Sequence, residues 1–496
     1  MDTAHAPLIP FDNSYARLPE RFFARVQPAP VAAPALIRVN DRLARDLRID
    51  PLDLSSPGGV AVLAGNTLAD GSDPIAMAYA GHQFGNFVPQ LGDGRAILIG
   101  EVVDRHGNRR DIHLKGSGRT PYSRMGDGRA ALGPVLREYI VSEAFAALGI
   151  PTTRALAAVS TGEWVYREEP LPGAILARVA SSHIRVGTFQ FFAARKDAEA
   201  VKALADYTID RHYPDLAGRP DRYRELLAAV VARQASLIAR WMGVGFIHGV
   251  MNTDNTSVAG ETIDFGPCAF MDTYHPSTVF SSIDHAGRYA FASQPAIANW
   301  NLVRLAETLL PLLGDTQDAA IAAAQERIDA YPLQFQTAIA DGYAAKLGIS
   351  ERRNDDTALI QDFLTVLANG QADFTLAFRT LSDAAGDTEH DHRLRSLFAD
   401  TEALDIWLQR WRQTISRENR TPEQISAAMR AVNPVIIPRN HQVEAAIKAA
   451  VSNNDFTLFH RLVDELADPF SDRPGIDDLK RPPGPDEVVR ATFCGT

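Results

Sequence analysis

The stretch "HGVMNTDNTSVAGETIDFGP", residues 248–267, decides how the rest of the chain is read. Laid on the phosphotransferase pattern H-R-D-L-x-x-x-N followed by D-F-G, His248, Asn255 and Asp264-Phe265-Gly266 all find places, while the position of the catalytic base holds Val250. The metal-ligating pair is kept and the proton acceptor is lost. Asn255 and Asp264 are oxygen ligands of the kind magnesium or manganese takes. The segment between them, "TSVAGETI", is expected to form a short strand pair turning at Ala259-Gly260 that returns both ligands to one site. A second carboxylate, Asp254, stands four positions after Val250 and offers a proton acceptor from a different direction.

Outward from this loop, the chain supplies what phosphoryl or nucleotidyl transfer requires: backbone amides and cations around phosphates, a divalent metal, and a lysine held by a carboxylate. Upstream, "RAILIGEVVD" and "RRDIHLK" have strand patterns joined by the turn residues "RHGN", which predicts a β-hairpin ending at Lys115. The glycine-rich "GSGRTPYSRMGDGRAALG" follows, and then a helix from Pro134 through "VLREYIVSEAFAALG", stopped by Gly149. Glu138 or Glu143 on that helix could pair with Lys115, and Glu138 is the expected partner. The word "GDGR" occurs twice, at 92 and 126, as a glycine loop on either side of the hairpin, although D-G dipeptides also mark ordinary turns. Strand patterns return at "EWVYR" and "GAILARVA". Arg178, inside the latter, must find a phosphate or an internal carboxylate, since a charge in an apolar strand cannot stay unpaired. Arg185 has a weaker case and also reads as plain surface.

Beyond residue 197 the pattern is helical, including a long stretch from Asp221 to Met242 that runs directly into the quoted loop. After residue 295 nearly every segment reads as helix, and the tail from 471 is proline-rich, charged and expected to be extended or mobile. The sum is an α+β chain with a small strand-rich lobe and a large helical lobe. The expected divisions are an N-terminal extension (1–75), a strand-rich lobe (76–195), a helical lobe carrying the loop (196–315), a helical extension (316–470) and a tail (471–496).

With 496 residues, 46% of them hydrophobic, the chain can fill a sizeable core. A net charge of −11 argues against wholesale binding to nucleic acid or to an anionic membrane. No run reaches the roughly eighteen apolar residues of a membrane-spanning helix, and the first residues lack the charged and apolar regions of a signal peptide. Two cysteines cannot make a disulfide framework. The expectation is a cytoplasmic monomer with no nucleic-acid or membrane partner. His275, Asp284, His285 and Cys268 show no recognised metal-ligand spacing and read as loop residues.

Several long words in one order then resemble a single family across nearly the whole chain: "FDNSYARLPERFF", "YAGHQFGNFVPQLGDGRA", "LKGSGRTPYSRMGDGRAAL", "LGIPTTRAL", "HGVMNTDN", "TIDFGP", "DHAGRYAFASQPAIANWNL" and "NPVIIPRNHQVEAAI". They are similar to the selenoprotein O, or YdiU, proteins. That resemblance implies a kinase-like two-lobed fold and protein adenylyltransferase activity. ATP would bind in an orientation reversed relative to kinases, and AMP would pass to serine, threonine or tyrosine hydroxyls of protein substrates with release of pyrophosphate. It implies Asp254 as proton acceptor, and nucleotide contacts at Gly92, Gly94, Arg95, Lys115, Asp127, Gly128, Arg178, Arg185 and Asp264. It also implies Mg2+ or Mn2+ on Asn255 and Asp264. Relatives carry selenocysteine or cysteine near the C-terminus, where Cys494 stands, and some pair it with a cysteine after "DFGP". Here Cys268 is the candidate, while "VFSSIDH" has serines where a relative could have cysteine.

Two other readings stand beside this one: a phosphotransferase with an unusual base, and an ATP-binding scaffold with a redox-sensitive tail. The missing base weakens the first, and the retained Lys115, Asn255 and Asp264 weaken the second.

Overall fold

The computed structural model describes residues 8–353 and 355–493. Its frame is an eight-stranded antiparallel sheet followed by a helical region. The predicted hairpin is β6 (Ala96–Val103) and β7 (Arg109–Lys115), and the two later strand patterns are the long β9 (Arg154–Tyr166) and β10 (Pro170–Ala180). The sheet order is β1-β3-β6-β7-β10-β9-β2, with the two-residue β8 (Ala130–Ala131) added on β10. Its remaining strands are β1 (Phe23–Arg25), β2 (Ala35–Val39) and β3 (Ile75–Met77). Residues 8–75, expected as an extension, are part of the frame itself, because they supply β1 and β2 at the two ends of the sheet.

Strand periodicity decides which face carries chemistry. On β7, Ile112 and Leu114 pack with Ile175, Ala177 and Val179 of β10 under a layer from the N-terminal segment that includes Leu43, Leu47, Leu54 and Leu63. The alternate residues, His113 and Lys115 on β7 and Leu176 and Arg178 on β10, point to the opposite face, where Arg178 lies directly across from His113 in the register. A polar set is thus held on one face of strands whose other face is fully apolar.

The helix Leu132–Ala147 packs across that sheet and begins two residues before Pro134, whose missing N–H falls in the first turn, where it has no intrahelical partner to lose. It ends before Gly149, at φ +74°. Behind it lie the late helices Asn440–Asn453 and Thr457–Leu466: Tyr139 and Phe459 meet edge to face at 5.4 Å, and Arg137 Nη1 donates to Asn440 Oδ1 at 3.0 Å. The long helix Arg222–Gly243 buries Leu226, Leu227, Val230, Val231, Leu237, Ile238 and Trp241, the apolar face expected of it.

The strand pair expected within "TSVAGETI" does not form. Its backbone is already bonded to three other elements: Val258 N–H donates to Ile184 O at 3.1 Å, Thr262 N–H to Pro151 O at 2.9 Å, and Ser257 O accepts from Gln234 Nε2 at 2.7 Å. The loop is closed instead by Phe246–Ile247 pairing with Ala269–Phe270 outside it. The tail is also more ordered than its composition predicts. Thr492 pairs with Ser281, and its hydroxyl donates to the Pro267 carbonyl at 2.7 Å, so the chain end docks just after Asp264-Phe265-Gly266-Pro267. Cys494 lies outside the described residues, and Cys268 is buried.

Candidate active site

Lys115, at the end of β7, donates from Nζ to Glu138 Oε2 at 2.6 Å and also contacts Asp264 Oδ1. Glu143, the alternative partner, is taken by Arg154 at 2.7 and 2.9 Å. Arg178 donates from Nη1 to Glu138 Oε1 at 3.2 Å and comes within 3.5 Å of Asp264 Oδ1, so it has an internal carboxylate. Two cations and two carboxylates form one closed set. Burial pushes the Asp264 carboxyl up, but the charges of Lys115, Arg178 and Arg95 outweigh it and hold Asp264 well below the usual carboxylate range. Asp264 also carries a left-handed φ of +69°, a strained backbone that aims the side chain back at Lys115.

Two side chains not singled out from the sequence extend this set. His113 accepts from Arg178 Nη2 on Nδ1 at 3.1 Å, which leaves Nε2 to donate to Asp93 Oδ2 at 3.2 Å. Burial drives His113 below its ordinary range, against the pull of Asp93, so the ring is neutral. Asp93 also accepts from the Met77 N–H at 3.0 Å. The signal was present in the alternation of "DIHLK", which puts His113 on the same face as Lys115, and in the first "GDGR" word.

The two copies of that word do different work. In the first, a β-carbon on Gly92 would collide with the Tyr122 ring and one on Gly94 would lie 2.9 Å from the Tyr122 carbonyl, so the loop lies flat against its neighbour. Arg95 follows with its charge near Asp264. In the second, Gly128 has φ +71° and leaves no room for a β-carbon beside the Gly118 carbonyl. Asp127 there is gripped by Arg167 at 2.8 and 3.1 Å, so its carboxylate belongs to an ion pair of its own and is not bonded to the Lys115 set.

Arg185 is not surface. It is 3% exposed, lies 4.2 Å from the Tyr79 ring centroid and donates from Nη1 to the Asp254 carbonyl at 3.2 Å. Asp254 itself is buried. Its Oδ2 accepts from Gln83 Nε2 at 3.3 Å, and its Oδ1 has no hydrogen-bond partner among the described residues. Burial pushes this carboxyl up to about 6, with Asp264 adding to the rise and Arg185 and Gln83 opposing it. A buried, half-satisfied carboxylate with a raised pKa is the form a general base takes.

The loop around Asp254 is pinned from both sides. His248 donates from Nε2 to the Ile263 carbonyl at 2.9 Å and stacks on Trp241 at 5.3 Å, so it ties the loop to the segment before Asp264. Asn252 Oδ1 accepts from the Phe84 N–H at 3.1 Å and the Tyr289 hydroxyl at 2.6 Å. Asn255 donates from Nδ2 to the Val250 carbonyl at 3.0 Å, which turns its Oδ1 away from the loop backbone as the end fit for a cation. Val250 is buried, an apolar side chain where the phosphotransferase pattern has a base. Among the described residues no group of three or more His, Cys, Asp or Glu could hold a metal by itself, and His275, Asp284 and His285 form no such cluster. Asp284 is occupied instead by the N–H groups of Arg288 and Tyr289 at 2.9 and 2.8 Å.

Comparison with known proteins decides the family. The model of "Protein adenylyltransferase SelO" matches residues 8–467. The chain belongs to the SelO/YdiU family. The "Protein nucleotidyltransferase YdiU" of Rhodopseudomonas palustris (strain BisB5) is 63% identical over 487 residues, 98% of this chain and 99% of its own. The protein of the same name from Bradyrhizobium sp. (strain ORS 278) is 62% identical over the same coverage, and that of Nitrobacter hamburgensis is 61% identical over 494 residues. As a member of the SelO/YdiU family this chain is a nucleotidyltransferase. Among the described residues no helix is long and apolar enough to cross a membrane.

Proposed function

We propose that the protein transfers AMP from ATP to hydroxyl side chains of proteins, with Asp254 as proton acceptor, in a kinase-like two-lobed fold. The observation that carries this reading is the pairing of a buried Val250 with a buried Asp254 whose Oδ1 has no partner among the described residues. The base position of a phosphotransferase is apolar, and a carboxylate four residues on keeps one oxygen without a hydrogen-bond partner among the described residues.

In this reading the polyphosphate of ATP lies over Lys115, Arg178 and Arg95, whose charges offset its own, with the flat loop at Gly92 and Gly94 and the loop at Asp127 and Gly128 beside it. Arg185, held on Tyr79, adds a fourth cation beside Asp254. The nucleotide lies reversed relative to a kinase, so that the α-phosphate faces Asp254. Asp254 takes the proton of the acceptor hydroxyl as its oxygen bonds to the α-phosphorus. The bond from that phosphorus to the bridging oxygen breaks, and pyrophosphate leaves. Asn255 Oδ1 and Asp264 are the residues that would hold Mg2+ or Mn2+, which supplies charge neutralisation at the phosphates. Two oxygen donors plus phosphate oxygens suit such an ion better than a cage built from protein alone, which agrees with the donor set here. The lobes run from 76 to 195 and from 196 to 315 with a helical extension to 470, and the working form is a cytoplasmic monomer.

The test is which phosphate moves. Incubation with divalent metal and ATP should label a protein acceptor, or the chain itself, from α-labelled and not γ-labelled ATP. Asp254→Asn should abolish labelling while nucleotide still binds, since a lost proton acceptor costs rate more than affinity. Transfer of γ-label would make the protein a kinase, and nucleotide binding with neither label transferred would favour the scaffold.

A further inference from the structure

Two long words of the sequence, "YAGHQFGNFVP" and "DHAGRYAFASQPAIANWNL", contribute little to the handling of the nucleotide, yet the fold brings them together beside Asp254. The first forms the hairpin of β4 (Gly81–Gln83) and β5 (Asn86–Val88). Asn252, two residues before Asp254, accepts from both words, through the Phe84 N–H and the Tyr289 hydroxyl.

Just outside these contacts the surface changes character. The Trp300 ring has the Arg288 guanidinium 5.0 Å from its centroid and Arg304 at 5.0 Å, with His82 edge-on at 5.1 Å. Phe87 lies against His82, rings tilted and 4.8 Å apart, and is 41% exposed. Arg304 has an ion-pair partner in Glu307 at 2.7 Å. Arg288 has none among the described residues: no carboxylate lies within ion-pair distance of it, and its buried Nε makes no hydrogen bond. In a chain of net charge −11, where most arginines have carboxylate partners, a guanidinium that has Tyr289 and Trp300 beside it and no carboxylate among the described residues is a group that can take an anion.

We propose that this lip is where the acceptor protein docks, and that Arg288 selects acceptors by pairing with an aspartate or glutamate beside the reacting hydroxyl while Trp300 and Phe87 pack against the same segment. The proposal rests on the reading of Asp254 as the group that meets the acceptor. Phe87 is exposed and Arg288 and Trp300 are half-buried beside it, and aromatic and arginine side chains are the residues that carry binding energy at protein interfaces. Gln83 and Tyr289 join the lip to the catalytic loop on either side, so an acceptor seated there presents its hydroxyl toward Asp254.

The test compares peptides that share one serine, threonine or tyrosine and differ only in flanking aspartates, asparagines or lysines, assayed with α-labelled ATP and the full chain. The unaltered protein should prefer the acidic peptide by tenfold or more in kcat/KM. Arg288→Ala should remove that preference through the KM for peptide while nucleotide affinity stays. Arg288→Glu should transfer the preference to the lysine-flanked peptide, a gain that misfolding cannot produce. Transfer of α-label without any charge preference, or a preference unchanged in both variants, overturns the docking proposal alone. Absence of α-label on every peptide and on the chain itself overturns it together with the transfer reading.

Discussion

A β-carbon on Gly81 would lie 2.9 Å from Asp254 Cγ and closer still to its Oδ1. The hairpin is therefore pressed directly against the carboxylate, and Gly81→Ala must move Asp254 without touching the nucleotide residues. A displacement of the order of an ångström at the reacting group lowers the rate by about 100-fold. We expect kcat to fall by that order with the KM for ATP little changed. Steady-state kinetics of the folded variant checks it, and a normal kcat would show that Asp254 is not held by this contact.

Glu138 is shared by Lys115 and Arg178, and its loss leaves two cations facing each other with only Asp264 between them. Breaking a buried pair from one side costs about 3–5 kcal/mol. Glu138→Gln should therefore lower both the melting temperature and activity. Lys115→Met leaves Arg178 in place to face both Glu138 and Asp264, so it should lose activity with much less loss of stability. Thermal unfolding of the two variants side by side separates the roles.

Asp127 and Arg167 form a partly exposed pair, and such pairs are worth about 0–1 kcal/mol. Arg167→Ala should leave stability nearly unchanged. If the Asp127 loop is set against the nucleotide by this pair, the variant should raise the KM for ATP several-fold at an unchanged melting temperature. An unchanged KM would assign the pair to the surface alone.

His212 is half-buried with Ser182 at 2.7 Å, and desolvation, with the charges of Arg211 and Arg233, pushes it down to about 3, with Arg110 adding to the fall and Asp111 opposing it. The folded chain keeps this ring neutral, while the unfolded chain protonates it near 6.5. Its contribution to stability is thus present above pH 6.5 and is lost as pH falls toward 3. His212→Gln keeps a side-chain amide for Ser182 and removes the titration, so its melting temperature should fall less between pH 7.5 and 5.0 than that of the unaltered protein. Parallel slopes in differential scanning calorimetry would contradict this.

The order of elements was legible in local pattern: the hairpin before Lys115, the helix before Gly149, the long amphipathic helix and the succession of later helices all follow from spacing and punctuation. Spacing within one short segment likewise put Asn255, Asp264 and the intruding Val250 on view together. What the sequence could not determine by itself was which charges meet. Arg185 stays open in the sequence between a phosphate contact and plain surface because nothing local marks burial, and packing against Tyr79 and the Asp254 backbone puts it beside Asp254. Asp93 and Asp127 stand in identical words, and the fold sends one to a buried histidine and the other to a surface arginine. The strand pair expected at Ala259-Gly260 fails because distant backbone groups claim its hydrogen bonds first. Local propensity sets what each segment prefers, but ion pairs and loop closures join residues that are about 20 to more than 200 positions apart, and their cost in chain entropy is met only when the whole core assembles.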